Sequence, residues 1–194
     1  MNAPRLLKGG FVYYGSGTAE GNVITFQYNP ELLKRTITPI EGGLQPKETI
    51  RFTLELDAND ALERVDQTAT RLGLYPALSA LELLVQPREN TGGFFQGLLS
   101  WLSQPSSSFV VFIWGTQRVV PVRVLELTVS EQMFDPSLNP IRVSVDVTME
   151  TLTEADLKAN PKAKARMDSY RINKERLARQ SSSLGSVEDL FEIS

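Results

Sequence analysis

Over residues 49–57 apolar and polar positions alternate without a fault: Ile50, Phe52, Leu54 and Leu56 take one parity, and Thr49, Arg51, Thr53, Glu55 and Asp57 the other. A pleated strand sends successive side chains to opposite faces, so this segment predicts a strand with one buried face. Residues 141–150 repeat the pattern, with Ile141, Val143, Val145, Val147 and Met149 against Arg142, Ser144, Asp146, Thr148 and Glu150. Ten residues extend about 33 Å, which is long for a small sheet. Residues 11–14 and 23–28 are shorter β-branched and aromatic runs, separated by a turn-rich stretch that begins Gly15-Ser16-Gly17. Residues 109–114 are continuously apolar, as in a central strand covered on both sides. In 119–130 the parity slips: Val120, Val122 and Val124 set one phase, then Leu125, Leu127 and Val129 the other. A bulge near Val124 restores a single buried face. Pro121 in this run marks an edge, or a position whose N–H is not needed.

The middle of the chain changes period. Asn59 or Asp60 caps an expected helix carrying Leu62, Val65, Ala69 and Leu72, with Gly73 as its stop. Pro76 opens a second, whose stripe is Leu78, Leu81, Leu84 and Val85, and Pro87 ends it. Residues 91–108 are rich in Gly and Ser around Phe94, Phe95, Leu98, Leu99, Trp101 and Leu102, a cluster that is either core or an interface patch. A boundary falls near Thr153, dividing a β domain of residues 1–152 from a helical tail of 153–194. Asn160-Pro161 starts a helix to about Arg179 whose apolar stripe is thin: Ala163, Met167, Tyr170 and Leu177, interrupted by Lys174. Ser186 and Asp189 resemble a capping box before a last turn with Val187, Leu190 and Phe191. Such a tail cannot form its own core. It docks on the body, docks on a partner, or stays partly disordered.

Composition narrows the chemistry. The 194 residues contain neither cysteine nor histidine, which removes thiolate metal sites, thiol nucleophiles, Ser-His-Asp hydrolysis and most zinc chemistry. A net charge of −3 argues against a dedicated nucleic-acid binder, although the tail helix is basic. The opening residues lack an apolar core of secretory length and no run is long enough to span a membrane, so neither a signal peptide nor membrane insertion is expected.

Carboxylates are the remaining candidates for catalysis. Asp57, Asp60, Glu63 and Asp66 are read as a solvated helix face with first-turn charges, ahead of a divalent-metal site. Glu82 and Glu126 interrupt apolar surroundings, but a hydrolytic pair needs both in one cleft and no sequence feature brings them together. Gly15-Ser16-Gly17 lacks the Gly-Lys-Ser/Thr and the helix of a phosphate loop, so a hairpin turn is preferred. No enzyme activity, metal or cofactor is expected.

Five stretches, in order, resemble the tube-protein family of contractile injection systems, which are phage-tail-like particles. They are Phe26-Gln27-Tyr28-Asn29-Pro30; Phe52-Thr53-Leu54-Glu55-Leu56-Asp57; Tyr75-Pro76-Ala77-Leu78 leading to Leu81-Glu82-Leu83-Leu84; Phe112-Ile113-Trp114-Gly115; and Met133-Phe134-Asp135-Pro136-Ser137-Leu138-Asn139-Pro140 running into the last strand. The resemblance covers roughly residues 5–152. It implies a β-rich α+β fold: a tail-tube-like two-sheet sandwich or barrel with a flanking helix. It also implies a non-enzymatic structural subunit that forms a hexameric ring at the baseplate end. That ring joins the inner tube protein to spike and baseplate wedge proteins, is assembled in the cytoplasm and becomes part of the particle, extracellular after release. Many relatives carry a peptidoglycan-binding LysM module, which the helical tail does not match, so cell-wall binding is not carried over. A soluble ligand-binding β-barrel is the alternative.

The surfaces expected to meet partners are the strand pair 119–130 and 141–151, the loop 134–140 and the tail. The residues singled out are Phe134, Asp135, Asn139, Arg123, Arg142, Trp101, Tyr170, Leu177 and Phe191.

Overall fold

A computed structural model describes residues 7–14, 22–41, 45–64, 66–85 and 109–181. The strands are β1 (Gly10–Tyr14), β2 (Asn22–Thr25), β3 (Lys34–Thr38), β4 (Lys47–Asp57), β5 (Phe109–Trp114), β6 (Arg118–Phe134) and β7 (Pro140–Thr151). The helices are α1 (Asn59–Glu63), α2 (Gln67–Leu72), α3 (Tyr75–Glu82), α4 (Glu154–Ala159) and α5 (Pro161–Ala178). The fold is β-rich α+β. Its described strands form one antiparallel sheet in the order β2-β1-β5-β6-β7-β4-β3.

In place of two separately hydrogen-bonded sheets, the ladder runs through a single sheet that rolls over on itself. β4 and β5 are three strand intervals apart in the ladder, about 14 Å if the sheet were flat. Yet the rings of Phe52 on β4 and Phe112 on β5 lie 5.5 Å apart, and Phe11 on β1 stacks on Phe52 at 6.4 Å. Phe26, just after β2, completes this aromatic cluster. The two arms of the sheet therefore face each other across it.

The sequence fault in β6 marks the bend. The register with β7 shifts between Val124 and Glu126, so β6 pairs with β5 before the bulge and continues beside β7 alone after it. Pro121 does not mark an edge, because β6 is central. Its carbonyl accepts from the Leu152 N–H (3.2 Å), and a strand residue's N and O point the same way. Its missing N–H thus faces the last rung beyond β7, the second of the two expected placements.

Other elements depart from the sequence reading for local reasons. The run 23–28 leaves the sheet at Thr25, because Phe26 turns into the core while its N–H donates to the Gly9 carbonyl. Gln27 then joins the β2 end of the rolled sheet to β4. Its amide donates to the Asp57 carbonyl (2.7 Å) and accepts from the Asp57 N–H (2.9 Å), as a strand neighbour would. The helix expected from Asn59 to Gly73 is two, because the Asp66 carboxylate accepts from the Thr68 and Ala69 N–H groups and starts α2 afresh. α3 stops at Glu82, ahead of Pro87, which lies outside the described residues. β3 is absent from the sequence reading, since Lys34 and Arg35 open it and only β4 covers it. So is α4, whose Thr153 and Asp156 form a capping box.

The tail helix packs on the body. Asn160 caps α5 by accepting from the Ala163 N–H (3.0 Å), and Ala163, Met167 and Tyr170 are buried in the same core as the sheet. α5 lies against β6, and Arg166 reaches over the Tyr14 ring to its hydroxyl (3.2 Å). From Glu175 to Ser181 every residue is exposed.

Candidate assembly interface

β6 outruns β5, its neighbour on one side. It continues to Phe134, whereas its pairing with β5 ends at Val122. On the β5 side the stretch from Arg123 to Phe134 has no strand partner among the described residues. Such an edge presents unpaired N–H and C=O groups to solvent and templates pairing with another strand. Its outward face is hydrophilic. Glu126, Thr128 and Ser130 stand in cross-strand register with Thr148, Asp146 and Ser144, and these with Arg51, Thr53 and Glu55 on β4. Within one of these rows the Thr53 hydroxyl donates to Asp146 (2.6 Å), tying β4 to β7.

The hairpin joining β6 to β7 is held rigidly. The Asp135 carboxylate accepts from the Ser137 N–H (2.8 Å), the Asn139 N–H (2.9 Å) and the Asn139 side-chain amide (2.8 Å). The Asn139 amide, with its backbone N–H, holds the Asp135 carboxyl below its usual value. Asn139 is itself buried, and its amide also donates to the Arg71 carbonyl at the end of α2. The Leu74 N–H donates to the Pro140 carbonyl (2.8 Å). Gly73, at φ +54, leaves no room for a side chain against that carbonyl: a Cβ there would stand 2.4 Å from it. With its base fixed on the α2–α3 junction, the turn holds Leu138 at φ +65 and leaves its side chain 72% exposed, beside the half-exposed Met133 and Phe134.

Of the residues singled out from sequence, Phe134, Asp135 and Asn139 thus meet in this hairpin, with different tasks: Phe134 is displayed, while the other two build the turn. Arg123 and Arg142 are engaged within the chain, with Asp156 (2.5 Å) and Asp57 (2.9 Å). Tyr170 is a core residue and not a partner-facing one. Leu177 lies on the exposed end of α5. Trp101 with the rest of the apolar cluster in 91–108, Phe191, Val65 and the Gly15 turn lie outside the described residues.

Sequence reading missed the contacts that hold the tail. Glu48 lies on the buried face of β4, 3% exposed, and receives Arg35 (2.7 Å), Lys174 and the Tyr170 hydroxyl (3.1 Å). Burial pushes the Glu48 carboxyl up, but the hydrogen bonds from Lys174 and Arg35 and their charges hold it below its ordinary value. Burial and the Glu48 charge raise the Tyr170 hydroxyl. The alternation in 49–57, carried back to the next residue of the core parity, puts Glu48 on the buried face. Lys174, the break in the tail's apolar stripe, is its distant partner.

Two of the four acids considered as metal ligands, Asp57 and Asp66, have structural employment. Asp57 accepts from the Asn59 N–H and pairs with Arg142, and Asp66 caps α2. Among the described residues, no group of three or more acidic side chains is arranged to hold an ion. Among the same residues, no helix is long and apolar enough to cross a membrane.

A second surface feature is an open groove of about 820 Å³ over the outward face of β4 and β7. Tyr28, Pro30 and Leu32 form its overhanging wall, and Thr53, Asp146 and Thr148 its floor. Compared with known proteins, the chain matches no family model and no curated protein.

Proposed function

We propose that this chain is a non-enzymatic structural subunit of a contractile injection system. In this reading it forms a hexameric ring at the baseplate end and joins the inner tube to spike and baseplate wedges. The observation that carries the proposal is the edge of β6 from Arg123 to Phe134, which has no strand partner among the described residues. A long strand edge left without a partner is a liability in a monomer and an asset where a neighbouring copy adds its own strand. Repeated head-to-tail, such contacts close into a ring. The resemblance of the five sequence stretches supplies the type of machine, and a tail-tube-like sandwich or barrel is the fold it brings. The hydrophilic face shared by β6, β7 and β4 suits the lining of a water-filled channel. A ligand-binding barrel is less well supported, because Phe11, Phe26, Phe52 and Phe112 occupy the space between the two arms of the sheet.

The test is a pair of proline substitutions, Thr128→Pro and Val129→Pro, followed by light scattering and negative-stain imaging with and without tube or spike partners. Alternate N–H groups of a strand point to opposite sides, so one of the two prolines interrupts the β7 ladder and the other only the free edge. The expected result is six-fold rings for the unsubstituted chain and a folded, ring-deficient edge variant. Rings that survive both substitutions, or a chain that stays monomeric with every partner, would remove the proposal.

A further inference from the structure

We infer that the groove over the outward face of β4 and β7 binds a neutral oligosaccharide, with Tyr28 as the platform for a sugar ring. The inference goes beyond the assembly reading and does not depend on it.

The groove exists because the chain before β3 cannot stay in the ladder. The β3–β4 register ends with Lys34 opposite Arg51, and carried on it would set Pro30 opposite Glu55. Asp57 turns its N–H and carbonyl toward Gln27, and Glu55, two residues earlier, turns the same way. It would need an N–H that proline lacks. Residues 28–33 therefore leave the ladder, and Asn29 anchors them elsewhere: it accepts from the Gly9 N–H (2.8 Å) and donates to the Leu7 carbonyl (2.8 Å). The hollow left behind, about 820 Å³, falls within the range of roughly 300–1,000 Å³ that ligand sites occupy. A second hollow of about 390 Å³, toward Gln132 and Arg142, shares Tyr28 and Glu55 with the first. The cleft thus runs past Tyr28 on both sides, as a chain-like ligand requires.

Its lining carries both signs, Lys34 and Arg51 against Glu31, Glu55 and Asp146. Such a near balance favours neither a polyanion nor a polycation. These side chains are also uncommitted. Arg123, Arg142 and Lys164 elsewhere on the surface stand in ion pairs. The side chains of Glu31, Lys34, Arg51, Glu55 and Thr148 make no hydrogen bond or ion pair among the described residues. Free donors and free acceptors in one cleft suit a ligand whose every group offers both, as a hydroxyl does. Beside them Tyr28, Pro30 and Leu32 form an apolar wall, with Tyr28 and Leu32 47% and 62% exposed. A sugar ring has the matching form, a rim of hydroxyls around C–H faces that pack on an aromatic ring.

The common peptide modes fit less well. Strand addition needs a free edge. Here only Thr53 and Glu55 lack a strand partner on that side among the described residues, shut between the Lys34–Arg51 rung and the Gln27–Asp57 hydrogen bonds. An amphipathic helix needs an apolar groove, whereas this floor is Thr53, Asp146 and Thr148.

The test is an amide NMR titration of the isotope-labelled full-length chain with cellohexaose, chitohexaose and maltohexaose, and with polylysine and polyglutamate as charged comparators. At least one hexasaccharide should shift, saturably, the signals of residues 28–32, 53–55 and 146–148, while the charged polymers leave them in place. Tyr28→Ala and Glu55→Ala alter exposed side chains, so each melting curve should be unchanged, and each should weaken binding about tenfold. Tyr28→Trp should retain it. No binding of any hexasaccharide at millimolar concentration, shifts confined to residues outside the cleft, or affinity untouched by both alanine variants overturns the inference. So does saturable binding of a charged polymer alone at these residues. Six-fold rings without sugar binding remove this site and leave the ring reading standing. Sugar binding without rings does the reverse.

Discussion

At the scale of single residues, Glu48 and Leu138 hold opposite kinds of tension. Glu48 is a carboxylate withdrawn from water and matched by two cations and a phenol. Removing one member of a buried charge cluster leaves the others uncompensated, so Glu48→Gln should cost about 3 kcal/mol in urea unfolding. The pH dependence has a definite sign. The folded carboxyl lies below its ordinary value, so its contribution is complete above the usual carboxylate range and is lost as pH falls through the lowered value. The thermal midpoint of the native chain should therefore drop below about pH 4, and that of Glu48→Gln should fall less steeply over the same interval. Leu138 presents the reverse case, an exposed residue whose backbone is strained. Leu138→Gly should be neutral or stabilising by up to about 1 kcal/mol in the same experiment, while an ordinary exposed leucine in extended structure would gain nothing from glycine.

Among the elements, the decisive joints are the α2–α3 junction and the cap of α5. Gly73 is required twice, by its positive φ and by the Pro140 carbonyl pressed against it. Gly73→Ala should cost about 2 kcal/mol or more and speed amide exchange at Leu74, whose N–H holds the hairpin base. At α5, Met167→Ala should cost about 2–4 kcal/mol by opening a cavity between helix and sheet. A tail attached only to partners would show no such loss in the isolated chain, so denaturant unfolding separates the two cases. Strands with a strict alternation, such as β4 and β7, were legible because one face had to be buried whatever lay opposite. β3 was not, because its strand character comes from pairing with residues 47–51 of β4 and not from its own pattern. The bulge in β6 was legible as a slip of parity; that it would bend one sheet into two facing arms was not.

For the whole molecule, the tail is part of the fold. A chain ending at Thr153 loses the cover given by Ala163, Met167 and Tyr170 and leaves Glu48 without Lys174. Its melting temperature should fall on the order of 10 °C, with new binding of a hydrophobic dye. An unchanged melt would show that α5 adds nothing to the stability of the body. Failure to assemble after this truncation is therefore poor evidence for a direct role of the tail in assembly. Substitution at exposed Leu177 or Arg179 probes that role without opening the core.

By itself the sequence determined the inventory and the local grammar. It carries no histidine or thiol, two long strands with one buried face, a bulge at Val124, a capped helix start at Asn160, and a tight Asp-Pro to Asn-Pro turn. These follow from periods of two and 3.6 and from side chains that bond their own neighbours, and both act within a few residues. Tertiary structure alone decided the contacts between distant parts: that β4 faces β5 across an aromatic cluster, that Lys174 reaches Glu48, and that β6 outlasts β5 and leaves an edge with no strand partner among the described residues. Those facts depend on how far each strand runs beside its neighbour and on which buried charge finds which partner. The chain can meet these conditions only once it has closed on itself.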